Sequence, residues 1–347
     1  MLALFHRDCG ALDEENESMR DCMPYYYKLT DYHGNGAEQS MQAETDLLRG
    51  NFQEAQIHYL HAARLSRRKH QYSILLTAEF TAMRLSLLQG NYTEALSRLS
   101  DLRRQLLDLS EFVLLPTIDL AEAWLFALLG QKDRIPQSVL SEDIVKMVMA
   151  VSTPIVLTIQ NEALLIAKDY TLLVSRYEEI RDLCEQSKML LCSIYIRIQY
   201  AIARLELGYS GEALTVLCEA LDFAIQDGIF LPFAEHVEQL HSLLNELKQK
   251  KKYAASLAKI TGLATRCNKA RQKILVEHFG QMSDLGLSQR ELQIARLAAQ
   301  RKTTKEISTA LNLSENTVRN HLSHVFDKLG IKGTARNKRE RLGEILL

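Results

Sequence analysis

Leu47-Leu48-Arg49-Gly50-Asn51-Phe52-Gln53-Glu54-Ala55 returns as Leu87-Leu88-Gln89-Gly90-Asn91-Tyr92-Thr93-Glu94-Ala95, an offset of 40 residues. Weaker echoes at Leu128-Leu129-Gly130, at Ala167-Lys168-Asp169-Tyr170 and at Leu207-Gly208-Tyr209-Ser210-Gly211-Glu212-Ala213 keep the period near 40, so that roughly five units span residues 40 to 240. Each unit reads as a helical hairpin. One apolar-periodic helix ends at the Gly, which is free to take the left-handed conformation, and a second begins near the aromatic residue and the Glu-Ala pair. A single hairpin cannot bury its own apolar stripe, so successive hairpins stack and share a continuous core, which predicts a superhelix with a concave face.

The rest of the composition agrees with helices. Of 347 residues 47% are apolar and 24% charged, and only five prolines and fifteen glycines interrupt the chain, so an all-α fold of two or more units is expected. The G-x-Y/F-x-E-A turn resembles that of tetratricopeptide repeats, with a longer period, and places residues 41–280 in the broader class of TPR-like helical-repeat domains. His241 to Phe279 reads as one further helix pair, its exposed turn marked by Lys248, Lys250, Lys251 and Lys252. Residues 1–40, with Tyr25-Tyr26-Tyr27 and the His33-Gly34-Asn35-Gly36 turn, fit no repeat and read as an irregular leading cap.

Several function classes are set aside. Cys9, Cys22, Cys184, Cys192, Cys218 and Cys267 form no C-x-x-C pair and read as scattered thiols in a reducing compartment. The apolar run at Met1 to Phe5 is too short for a signal peptide. The tracts Phe112 to Leu129 and Met147 to Ile159 are interrupted by Pro116, Asp119 and Glu122 or are too short to span a bilayer, so a cytoplasmic protein is expected. Gly208-Tyr209-Ser210-Gly211 has Glu212 where a nucleophile elbow needs Gly, and it lies in a repeat turn, so no enzyme is expected. His58 and His61 have no evident third metal ligand, and neither metal nor cofactor is expected.

The C-terminal end is the basic end. Residues 284–347 hold twelve Lys and Arg against seven Asp and Glu, a net of +5 that leaves −6 on the remainder of a chain whose total is −1. Such a segment suits phosphate contact. Within it, Ser288 with Glu291 and Thr303 with Glu306 have the spacing of capping boxes, and Leu287 with Leu292 that of a hydrophobic staple. A short second helix from Thr303 to about Leu311, a tight turn at Asn312-Leu313, and a longer helix capped by Ser314 and running to about Leu329 give helix-turn-helix geometry. Val318, Leu322, Val325 and Leu329 form one apolar stripe that is expected to pack on Ile294, Ile307 and Leu311. Asn316, Arg319, Asn320, Ser323 and His324 lie away from it and have the hydrogen-bonding character of a major-groove face.

The string Leu287-Ser288-Gln289-Arg290-Glu291, Thr303-Thr304-Lys305-Glu306-Ile307, Leu313-Ser314-Glu315-Asn316-Thr317-Val318-Arg319-Asn320-His321 and Lys328-Leu329-Gly330 resembles the LuxR-type DNA-binding domain and assigns residues 285–347 to it. The resemblance implies a small four-helix domain whose third helix enters the major groove of double-stranded DNA and whose fourth mediates dimer contacts. It makes Arg319, Asn320, Ser323 and His324 the candidates for base edges, and Thr304, Lys305, Thr317 and Lys328 those for phosphates. Where the family has Gly before the second helix, Asn ahead of Lys-Glu-Ile, and often Lys on the third helix, this chain has Arg301, Thr304 and Ser323, and Arg301 joins the phosphate candidates. The tail also departs from the family, with Arg336, Lys338, Arg339 and Arg341 crowded together.

Helical repeats followed by such a domain are similar to the C-terminal part of MalT-like regulators. No G-x-x-x-x-G-K-[ST] is present, so an ATPase site is not expected; either the chain is a short relative or it begins partway along a longer protein, and Met1 favours the first. No alternating strand and helix pattern suggests a receiver domain. The expected function is a bacterial transcription regulator in which an effector of unknown identity, peptide, small molecule or protein, occupies the repeat groove and alters DNA binding or dimerisation. The alternative is a protein-interaction scaffold whose DNA-binding module is masked or vestigial.

Overall fold

The computed structural model describes residues 36–148, 152–279, 289–300, 302–311, 313–329, 331, 337–338 and 341–342, with Glu17 and Asp21. Among them there is no β-strand, and the chain forms two compact units, residues 1–271 and 272–347. Most of the stretch read as a leading cap, and the tract Met149 to Val151, lie outside the described residues.

Unit 1 is built of paired helices: α1 (Ala37–Arg49) with α2 (Phe52–Arg68), α3 (Tyr72–Leu88) with α4 (Tyr92–Asp108), α5 (Leu115–Leu128) with two one-turn helices α6 (Gln137–Leu140) and α7 (Ile144–Met147), α8 (Thr153–Ile166) with α9 (Tyr170–Gln186), and α10 (Leu190–Glu206) with α11 (Ser210–Asp227). A short α12 (Leu231–Glu235), α13 (Val237–Leu247) and the long α14 (Ala254–Ile274) follow; residues after Arg271, with the π-helical turn at Leu275–Phe279, fall in unit 2. Helix α1 starts at Ala37, inside the segment assigned to the cap, because Gly36 is left-handed and abuts α2; a Cβ there would sit 2.8 Å from the Ala62 carbonyl oxygen.

Left-handed residues end the helices at positions 50, 70, 90, 110 and 130, then at 168, 188, 208 and 228. The underlying unit is therefore one helix per twenty residues, and the forty-residue repeat is two of them. Each turn is closed by the same backbone bond, from the residue after the left-handed one to a carbonyl five residues earlier, as in Asn51 to Asp46 (2.8 Å), Gln71 to Ser66 (2.9 Å) and Asp169 to Leu164 (2.9 Å).

Alternate helices differ in how much they bury. Outer helix α4 buries one stripe, Tyr92, Ala95, Leu99, Leu102 and Leu106, whereas inner helices α3 and α10 are buried nearly all round. The apolar tracts that drew attention in the sequence belong largely to inner helices α5 and α8. No described helix is long and apolar enough to cross a membrane.

The inner helices meet in order, α1 on α3, α3 on α5, α5 on α8, α8 on α10 and α10 on α12, and α12 returns to α1. The closure is fixed by Phe230 N–H donating to the Leu48 carbonyl (3.1 Å) and by Arg49 Nε donating to that of Asp227 (2.9 Å). The concave face expected from the repeat is thus lined by buried side chains. Arg84 donates to Tyr195 Oη (2.9 Å) and Glu235 (2.8 Å), while Glu162 receives bonds from Gln199 (2.8 Å) and pairs with His236 (3.1 Å). Residues of α14 lie across the turns: Leu263 fills the space beside Gly50, Arg266 covers the Phe52 ring, and Arg271 reaches Gly130. Cys184, Cys192 and Cys267 are buried free thiols, and burial foremost pushes Cys184 and Cys267 up to about 12, which keeps them as unreactive packing groups.

Candidate nucleic-acid interface

Unit 2 positions its surface with three helices, α15 (Gln289–Ala299), α16 (Thr304–Leu311) and α17 (Glu315–Lys328). The start of α16 is the capping box expected from its sequence. Thr303 N–H donates to the Glu306 carboxylate (2.7 Å), and Glu306 N–H donates to Thr303 Oγ1 (3.2 Å). The bonds that Thr303 donates to the carboxylate, from its N–H and from Oγ1 (2.9 Å), hold the Glu306 carboxyl below its usual range. Ser314 Oγ caps α17 by accepting from Thr317 N–H (3.0 Å). The first capping box and its staple cannot be followed in the same way, because Leu287 and Ser288 lie outside the described residues.

The core of this unit joins Ile294, Ala295, Ala298 and Ala299 of α15, Ile307 of α16, and Val318, Leu322, Val325 and Phe326 of α17, with Leu311, Leu313 and Leu329 packed at its edge. Burying that stripe orients α17, and its opposite face is consequently wet: Asn316, Arg319, Asn320, Ser323 and His324 are all exposed. At 3.6 residues per turn these five side chains form one polar row, the donor and acceptor array that reading base edges requires. Arg319 is two-thirds exposed, and its Nη2 donates to Glu315 one turn earlier (3.2 Å).

The phosphate candidates are placed more variously. Lys305 is exposed, and Thr304 is half-buried at the start of α16. Thr317 is also half-buried, with its hydroxyl 2.8 Å from Ser314 Oγ. Lys328 is anchored, its ammonium 2.8 Å from the buried carboxylate of Glu291. Arg301 lies outside the described residues, as do Arg336 and Arg339 of the tail. In the tail, Asn337, Lys338, Arg341 and Leu342 are helical; Leu342 is buried in the core and Lys338 Nζ stands 5.2 Å from the Phe326 ring centre.

Two residues with structural consequence were not singled out for these roles in the sequence. Arg290 Nη2 donates to the Leu311 carbonyl (2.8 Å), so α15 caps the C-terminal end of α16 and fixes the turn before α17. Glu291, read as half of a capping box, also ties α15 to the end of α17 through Lys328. An Arg at a helix start carries no local signal of such a long-range bond.

A family model for bacterial regulatory proteins of the luxR family matches residues 285–336, the segment that carries these helices. Spore germination protein GerE of Bacillus subtilis (strain 168) is 48% identical over 63 residues, which are 18% of this chain and 85% of that relative. The chain belongs to the luxR family. An uncharacterized transcriptional regulatory protein, YvfU, from the same organism is 49% identical over 55 residues, 16% of this chain, and the match spans only 28% of that relative. No solved structure matches the chain. The luxR-family match covers the C-terminal helix-turn-helix alone, and it makes the chain a DNA-binding transcription regulator.

Proposed function

We propose that the chain reads a specific DNA sequence through α17 and that its helical-repeat region, residues 41–280, senses an effector. Arg319, Asn320, Ser323 and His324 meet base edges in the major groove. Arg301, Thr304, Lys305 and Thr317 engage phosphates, and Lys328 joins them through the donors that Glu291 leaves free. What supports this reading is a single coincidence: the luxR-family segment is the one in which a capped helix buries Val318, Leu322 and Val325 and exposes a continuous polar row. Two chains on adjacent half-sites are proposed from the family resemblance.

Base-edge and phosphate contacts have different signatures. Removing a bidentate base contact costs about 1–3 kcal/mol and relaxes preference at one position, whereas removing a phosphate contact weakens all sequences alike and flattens the salt dependence. Selection from randomised duplexes with the intact chain is therefore expected to return a paired half-site. Arg319→Ala and Asn320→Ala are expected to blur it, and Lys305→Ala to lower affinity without altering it. Failure to enrich any motif, with effector-free and effector-loaded protein alike, would favour an interaction scaffold with a masked module.

A further inference from the structure

We infer that unit 1 carries a site for a small molecule bearing two or more oxyanion groups, phosphate or carboxylate, in the cavity between outer helices α2 and α4. The cavity has a volume of about 600 Å³ and is walled by Tyr59, Arg64, Arg67 and Arg68 of α2, Glu79 of α3 and Arg98 of α4. Its size falls among those of small-molecule sites. Four guanidinium groups line it with one carboxylate, that of Glu79, while Glu94 pairs with Arg98 from outside the lining, on a chain that is net negative outside its tail.

The floor is rigid. Glu79, 3% exposed, binds Arg67 through one carboxylate oxygen and Arg98 Nη1 through the other (3.0 Å). Arg98 also donates to Tyr59 Oη (3.1 Å) and to Glu94 (2.7 Å), with its guanidinium 5.3 Å from the Tyr59 ring centre. Two cationic forks are thus held in place before any ligand arrives, which lowers the ordering cost of binding. Arg64 and Arg68 are exposed and have no hydrogen-bond or ion-pair partner among the described residues, so their donors are available.

Helix polarity explains part of this charge but not all of it. Basic residues in the last turn of α2 complement the helix dipole, and Arg67 and Arg68 stand there. Arg64 is a turn earlier, and Arg98 comes from the neighbouring hairpin. Elsewhere in the array the bridging arginines are balanced: Arg103 meets Asp119 and Glu122, and Arg197 meets Glu185 and Glu219. Between α2 and α4, Arg67 and Arg98 share Glu79, Arg98 also meets Glu94, and beside them stand Arg64 and Arg68, which have no ion-pair partner among the described residues. Planar forks arranged around a concavity suit bidentate oxyanion recognition.

The inference deepens the effector reading and rests on it only for the coupling to DNA. The test is calorimetric titration of the intact chain, without DNA and at 150 mM salt as an experimental choice of about physiological strength, using pyrophosphate, citrate and hexaglutamate. One equivalent of pyrophosphate or citrate is expected to bind, and which of the two binds more tightly distinguishes a phosphate from a carboxylate source. The double variant Arg64→Ala/Arg68→Ala, which breaks no internal hydrogen bond, is expected to weaken binding about a hundredfold, roughly tenfold for each charge-assisted hydrogen bond removed from the ligand. The control Lys248→Ala/Lys251→Ala, at the basic turn elsewhere in unit 1, is expected to leave it unchanged. No binding, binding that the arginine variant does not weaken, or binding of hexaglutamate alone, which would indicate an acidic protein segment, each overturns the inference. Because no DNA is present, a failed titration and a failed DNA-site selection report separately.

Discussion

Lys168 occupies a place that four other repeat turns give to glycine. Its φ is +59°, beside +85° at Gly50, +76° at Gly90, +70° at Gly130 and +88° at Gly208. A left-handed backbone costs an L-residue about 1–2 kcal/mol, and Lys168 is exposed, so no packing offsets that cost. Lys168→Gly is expected to stabilise unit 1 by about 0.5–1 kcal/mol, the relief being reduced by the larger freedom of glycine in the unfolded chain. Gly50→Ala should do the reverse by about 2 kcal/mol or more, since its Cβ would also lie 2.3 Å from Leu263 Cδ2 on α14. Denaturant unfolding of both variants checks this pair, and equal midpoints would mean that the turns do not bear the strain their dihedrals imply.

At the scale of elements, the sequence disclosed whatever is encoded locally. The forty-residue repeat was legible because Gly-Asn-Phe/Tyr-x-Glu-Ala is a local turn signal, and α16 and α17 were legible from Thr303, Glu306 and Ser314. The twenty-residue half-period was hidden, because its intervening turns use His70, Ser110 and Lys188 in the left-handed role, and because inner helices buried all round lose the one-sided pattern that marks a helix. Closure of α12 onto α1 was hidden too: a bond from Phe230 to Leu48 joins residues far apart in the chain and leaves no trace near either. What was read locally can be tested locally. Ser314→Ala removes the bond to Thr317 N–H and is expected to destabilise the start of α17 by about 1 kcal/mol, which corresponds to amide exchange about fivefold faster at Thr317. DNA affinity should fall for every sequence with base preference intact; unchanged exchange would show that the cap is not holding the helix. Glu306 gives a second reading of the same kind. Its carboxyl is depressed in the folded state, so the stability it contributes is present above the ordinary carboxylate range and is lost as pH falls through its lowered value.

At the scale of the whole molecule, the interior of unit 1 holds buried ionisable groups among its apolar side chains, and that makes its stability depend on pH in a particular direction. His236 is 2% exposed; burial opposes its charge, but the Glu162 carboxylate at 3.1 Å outweighs burial and raises it from 6.5 to about 9. Glu162 moves the opposite way: burial favours its neutral form, and His236, together with the Gln199 bond, overcomes this and holds it low. A raised histidine contributes stability that is fully present below its unfolded value near 6.5 and is lost as pH rises through about 9. A depressed carboxylate contributes stability that is present above its unfolded value near 4.5 and is lost as pH falls further. Between those limits the pair is charged and paired. The unfolding free energy of the intact chain should therefore decline from about pH 7 to pH 10 more steeply than that of a His236→Gln/Glu162→Gln double variant. The double substitution is the appropriate control, because removing one partner alone would strand a buried charge or an unpaired donor and destabilise the fold at every pH. Parallel pH profiles for the two proteins would mean that His236 is neutral in the folded chain, and that closure of the inner helices is held by the Arg84–Glu235 pair and apolar packing without an ionised histidine.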